Sequence, residues 1–270
     1  MMQNSNLIDK KNPQWSGLVP VDDSKLFVTD TGNSGMPIVY LNGQFATRWY
    51  WRKVIAELGS DFRHITYDER ARGRKSVKSS DYTFEACVRD VDSVLAARGI
   101  KKCIVIGWSY GAFLATHWAS RNPERCLGAI LVDGAQPYNW MTEEMASGMR
   151  KFFKKLNPLL WLLRPTGLTP RMSASQMAKI NIELGWIGSK DALDPVMDKI
   201  SVPTRYVLAS GTSFGSKGDE QEIIRIGAYE AAKRNTNIKV FAKVPSNHGA
   251  ILKKDFKAVA DAVREIASMI

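Results

Sequence analysis

The sequence predicts an α/β fold built on a parallel sheet, and three observations predict it. Short apolar runs at residues 37–41, 62–67, 103–106, 129–132, 204–208 and 238–241 alternate with segments of helical length and spacing. A serine flanked by glycines, Gly107-Trp108-Ser109-Tyr110-Gly111, falls between one such run and a helical run that starts at Ala112. Strand signals then vanish over residues 136–199 and return afterwards, as expected if one helical insertion interrupts the core. With 270 residues, 44% of them hydrophobic, the chain can bury one large core and still carry that insertion.

The elements follow in order. The start, to about Ser16, is polar and reads as loosely held. Residues 26–29 read as a strand, Thr31-Gly32-Asn33-Ser34-Gly35 as a turn, and residues 37–41 as a buried strand that delivers Asn42-Gly43-Gln44-Phe45 at its end. A helix fits residues 49–58, stopped by Gly59, before the strand at 62–67. In Asp68-Glu69-Arg70-Ala71-Arg72-Gly73-Arg74-Lys75 the four cations read as a solvated turn. Phe84, Val88, Val91 and Leu95 recur at helical spacing within 82–98, and Gly99 follows as a stop.

After the strand at 103–106 and the helix that ends near Asn122-Pro123, the strand at 129–132 delivers Asp133-Gly134-Ala135. Residues 136–199 read as helical, rich in Met, Trp and Leu, and broken by Pro158, Pro165 and Pro170. Beyond the strand at 204–208, the glycine-rich loop 211–218 fails the spacing of a phosphate loop, because Lys217 is followed by Gly218. Asp219 then opens a helix to about Lys233, residues 238–241 form the last strand, Ser246-Asn247-His248-Gly249 follow, and residues 256–269 close the chain as an amphipathic helix.

Several functional classes are disfavoured by composition. No apolar run is long enough to span a bilayer; the most apolar patch, 159–163, is closed by Pro158 and Arg164. The first residues lack the basic and apolar regions of a secretory signal, so a soluble cytoplasmic protein is expected. Cys87, Cys103 and Cys126 have neither disulfide nor metal spacing and read as small buried hydrophobes. The net charge of +11 is spread along the chain without a nucleic-acid motif, which reads as solubilising charge.

The chemistry starts at Ser109. A serine hydroxyl becomes a nucleophile when a sharp strand-to-helix turn lifts it out of the backbone towards a base. That turn needs small residues two positions either side, which Gly107 and Gly111 supply. In this context the chain resembles the α/β-hydrolase superfamily, over nearly its whole length, in the branch with a serine nucleophile and a helical cap. The resemblance implies a mostly parallel eight-stranded sheet flanked by helices, with a cap at 136–200 inserted before the last two strands and a core of 1–135 and 201–270. The segment 68–75 is similar to the family's Asp-x-Arg-Gly-x-Gly-x-Ser loop, with Ala71 for a glycine and Lys75 for the serine.

The family's oxyanion hole maps onto the N–H of Gln44, beside Phe45, and the N–H of Tyr110; Asn42 stands where the family usually has histidine. Its base maps onto His248, on the loop after the last strand. His64 lies inside a strand, and His117 lies two turns down the helix from Ser109. The acid departs from the common pattern, since Ala209-Ser210-Gly211-Thr212 holds no carboxylate. Asp133 occupies the strand end that haloalkane dehalogenases and some lactonases of the superfamily use, and Asp219 is the alternative acid.

The reaction this implies is hydrolysis of a small or medium carboxylic ester or lactone through an acyl-enzyme at Ser109, as in a carboxylesterase. Attack on the C–C bond of a β-diketone, cofactor-independent peroxide chemistry, and a ligand receptor with weak turnover stay open beside it. Serine at the elbow disfavours the branches whose nucleophile is aspartate. The expected partner is a small molecule with an apolar acyl or aromatic group. No metal, cofactor, nucleic acid or membrane span is expected, and the protein is expected to be a monomer or a dimer. Met141, Met145, Met149, Phe152, Phe153, Trp161, Met172, Met177 and Trp186 are candidates to line an apolar pocket or to pack within the cap.

Overall fold

The structure, a computed structural model, describes residues 14–166, 169–212 and 218–270, with side chains in the last segment from residue 222 onwards. Eight strands form one sheet: β1 (Trp15–Val21), β2 (Ser24–Asp30), β3 (Met36–Leu41), β4 (Phe62–Asp68), β5 (Cys103–Trp108), β6 (Cys126–Val132), β7 (Thr204–Gly211) and β8 (Ile238–Asn247). Their order is β1-β2-β4-β3-β5-β6-β7-β8. The first two pairings, β1 with β2 and β2 with β4, are antiparallel, and all the others are parallel.

The central strands are buried on both faces, so they read as continuous apolar runs rather than alternating ones. In β5 the period of two is still visible in the packing. Cys103 and Val105 enter one core cluster, while Ile104, Ile106 and Trp108 enter the other. The first cluster joins the sheet to α2 (Phe84–Ala97), α3 (Tyr110–Arg121), α6 (Lys190–Asp198) and α7 (Gly218–Arg234). The second joins it to α1 (Arg52–Leu58), α8 (Ile251–Lys254) and α9 (Phe256–Ala267). Between β6 and β7 lie α4 (Glu143–Leu163), α5 (Ala174–Ile187) and α6. Pro158 sits inside α4 instead of breaking it.

Two further sequence expectations need correction. The pattern did not show β1, Trp15–Val21, which already holds Trp15 and Ser16 where a loosely held start was expected: it lies at the sheet edge, where Pro20 costs no ladder bond that a central strand would need. The turn at 70–75 is only half solvated. Arg74 and Lys75 are exposed, but Arg70 and Arg72 are fully buried. The reason is acidic company. Arg70 donates Nε and Nη2 to the two carboxylate oxygens of the buried Asp90, at 2.8 and 2.7 Å, and Nη2 also to Asp22 at 2.7 Å. The Arg72 guanidinium is held in the charged state by the nearby Glu69 carboxylate against the cost of burial.

Candidate active site

β5 runs straight into the turn at Ser109, which adopts φ 55° and ψ −117° before α3 begins at Tyr110. A non-glycine residue at positive φ is strained, and such strain tends to gather at functional positions. The neighbouring glycines are required by space. A Cβ on Gly107 would collide with the carbonyl of Gly111, and one on Gly111 with the carbonyl of Leu41. Gly134, which carried no sequence signal, is confined in the same way by the backbone of Ser109.

Ser109, His248 and Asp133 come from the ends of three different strands and meet. His248 Nε2 lies 3.0 Å from Ser109 Oγ, and His248 Nδ1 lies 2.7 Å from Asp133 Oδ2. An ionised carboxylate only accepts, so the Nδ1 position carries the proton and a neutral ring offers Nε2 to the serine hydroxyl. The other Asp133 oxygen accepts from the Ala209 N–H at 2.9 Å, which fixes the carboxylate plane. Asp133 itself has φ 44°, and Ala135 has φ 57°. The backbone thus turns sharply where β6 ends. The side chain of Asp219 lies outside the described residues.

His248 follows the last residue of β8 and is steadied by aromatic neighbours. Its carbonyl accepts from Trp108 Nε1 at 3.2 Å, and its ring lies 5.5 Å from the Trp108 ring, which in turn stacks on Tyr50 at 5.1 Å. The other two histidines face elsewhere. His64 is buried between the Tyr40 hydroxyl, at 2.8 Å, and the Gly59 carbonyl, at 2.7 Å, and burial lowers its pKa. His117 packs edge-on against Phe84; burial, then the Arg121 charge, lowers its pKa to about 4.

Opposite the elbow, the turn after β3 is pinned by Asn42. Its Nδ2 donates to the Tyr67 carbonyl at 2.7 Å and to Glu69 at 3.0 Å, and its Oδ1 accepts from Trp51 Nε1 at 3.0 Å. The Ala46 N–H donates to the Gly43 carbonyl at 2.9 Å, closing a turn over Gln44 and Phe45, with Phe45 at φ 63°. Among the described residues the Gln44 N–H has no acceptor. Tyr110 begins α3, and the first N–H groups of a helix have no acceptor within it.

A cavity of about 650 Å³ opens on the Ser109, His248 and Asp133 side chains. Phe113, Tyr138, Trp140, Met145, Leu184 and Ile224 make its wall mainly apolar. Of the nine apolar residues proposed from sequence as pocket candidates, Met145 alone is among its lining residues. Phe113 was legible in principle, standing four residues after Ser109 on the same face of α3. Gln136 and Arg225 also line the cavity, and neither carried a sequence signal; Arg225 pairs with Glu222 at 2.7 Å. Among the described residues no group of three or more His, Cys, Asp or Glu side chains could hold a metal ion. None of the described helices is long and apolar enough to cross a membrane.

Residues 36–160 match the protein family described as alpha/beta hydrolase fold. A haloalkane dehalogenase of Mesorhizobium japonicum is 29% identical over 139 residues, which is 51% of this chain and 45% of that protein. The match thus spans less than half of that relative's length. Among solved structures, a putative lipase from Acinetobacter baumannii superposes with a TM-score of 0.73 at 15% identity, over 95% of this chain and 93% of the other. A thermophilic esterase from Thermogutta terrifontis gives 0.72 at 17% identity, over 94% and 98%. At such identities the likeness shows the fold alone.

Proposed function

The chain is a member of the α/β-hydrolase superfamily, and on that premise we propose that it is a serine hydrolase of carboxylic esters or lactones. The observation that carries this is the unbroken hydrogen-bond chain from Ser109 Oγ through His248 to Asp133, at 3.0 and 2.7 Å, on the wall of a large apolar cavity. Ser109 attacks the carbonyl carbon while His248 Nε2 takes its proton. The N–H groups of Gln44 and Tyr110 receive the oxyanion. His248 returns the proton to the leaving alcohol, and water then releases the acyl group by the same steps in reverse order.

Asp133 is the acid in this reading. It holds the ring with Nδ1 protonated and faces the imidazolium that forms, without taking the proton itself. The helices α4 and α5 act as a cap, and the aromatic and aliphatic cavity wall suits an acyl or aryl group of medium size. The test is a panel of p-nitrophenyl esters, lactones and β-diketones, read beside labelling of Ser109 by a fluorophosphonate and located by peptide mass. Ester or lactone turnover that vanishes in Ser109→Ala is the expected result. Neither turnover nor labelling at Ser109 would overturn the reading in favour of a ligand receptor.

A further inference from the structure

The outer face of α4 combines large apolar side chains with unpaired cations. Phe152, Leu159, Trp161 and Leu162 are 57%, 52%, 69% and 65% exposed. Positions 152, 155, 159 and 162 follow at spacings of three and four and share one side of the helix. Lys154 and Trp161, seven apart, run beside them. The opposite side is anchored: Ala146 and Leu160 are buried, and Phe153 and Leu156 pack against the main core.

Arg150, Lys151, Lys154 and Lys155 are all exposed, and none is in an ion pair among the described residues. From residue 145 to 166 the sequence holds no carboxylate, whereas Glu143 and Glu144 sit at the far N-terminal end of the helix. The exposed face therefore has a cationic first half, at 150–155, and an apolar second half, at 158–162. A segment of that kind lies in a lipid interface, with its apolar groups sunk below the headgroups and its lysine stems reaching back to anionic phosphates.

We propose that α4 docks this face on a lipid surface bearing anionic headgroups. A second copy of the chain is the poorer occupant, because two such cationic rows would repel across the contact. The same helix carries Met145, near its N-terminal end, on the cavity wall, so docking keeps the cavity close to the surface where lipid esters are presented. The docking rests on the exposed face alone; only the supply of ester to the cavity rests on Ser109 as nucleophile.

The experiment is sedimentation of Ser109→Ala protein with vesicles of phosphatidylcholine alone, and of equal parts phosphatidylcholine and phosphatidylglycerol. Selective binding to the anionic vesicles is expected. It should weaken on the order of a hundredfold in Lys151→Gln/Lys154→Gln/Lys155→Gln and about tenfold or more in Leu159→Ser/Leu162→Ser. Trp161→Phe should bind but lose part of the blue shift in tryptophan emission. Equal binding to both vesicles, or wild-type binding by the triple variant, would overturn the proposal. So would a dimer in solution that Leu159→Ser/Leu162→Ser dissolves. Turnover of a water-soluble ester, measured separately, reports on the hydrolase reading, so the two can fail independently.

Discussion

Asp133→Asn isolates the proposed role of Asp133 from its part in the fold. The backbone at this position has φ 44°, a conformation that asparagine tolerates better than most residues, so the turn should survive the change. The amide oxygen can keep the bond from the Ala209 N–H, now 2.9 Å long. That leaves the amide NH2 facing His248 Nδ1, where a carboxylate oxygen accepts at 2.7 Å. A donor there forces Nδ1 to accept, so the proton moves to Nε2 and points at Ser109 Oγ. The serine then faces a donor where it needs a base. A loss of about 10⁴ in kcat, or about 5 kcal/mol of transition-state stabilisation, is expected. The assay is initial-rate hydrolysis of a short-chain p-nitrophenyl ester, with Ser109→Ala as the floor and Asp219→Asn as the control. Near-wild-type turnover by Asp133→Asn, with loss in Asp219→Asn, would refute the assignment.

Further expectations follow from burial and packing. Trp140→Ala and Phe113→Ala should raise KM for aryl or longer acyl esters while leaving acetyl esters little changed, read as kcat/KM across a chain-length series. Asp90→Ala removes the buried carboxylate of the Arg70 guanidinium, leaving it the half-exposed Asp22, and should cost about 3 kcal/mol in urea unfolding. Gly111→Ala, whose methyl would meet the Leu41 carbonyl, should lower the melting temperature sharply or prevent folding. His117 has a folded pKa of about 4, below its unfolded value, so the unfolded chain binds the extra proton first. Its contribution is complete above about pH 6.5 and falls away towards pH 4, by roughly 3 kcal/mol at most. Urea unfolding of His117→Phe should show a shallower acid slope; an unchanged slope would remove His117 as its source.

The sequence by itself determined the alternation of strands and helices, the elbow at Ser109 and the candidacy of His248. Each rests on local chemistry. A strand buried on both faces must be apolar throughout, and a tight elbow must have glycines beside it. Position in the chain separated His248 from His64 and His117. The edge strand β1 escaped notice because one side of an edge is wet, and its burial pattern is accordingly weak.

Charge in the sequence was a poor guide to burial. Arg70 looked like a solvated cation because its carboxylate company, Asp22 and Asp90, is gathered from separate parts of the chain, and Arg72 because nothing local shows that its own turn, with Glu69, is buried. Only the tertiary structure decided the geometry around Asp133. Asp133 stands 115 residues before His248, yet the adjacent ends of β6, β7 and β8 bring its carboxylate to the ring and the Ala209 N–H to its other oxygen. A hydrogen bond is a matter of distance and direction, and strand order fixes both across gaps that no local pattern records.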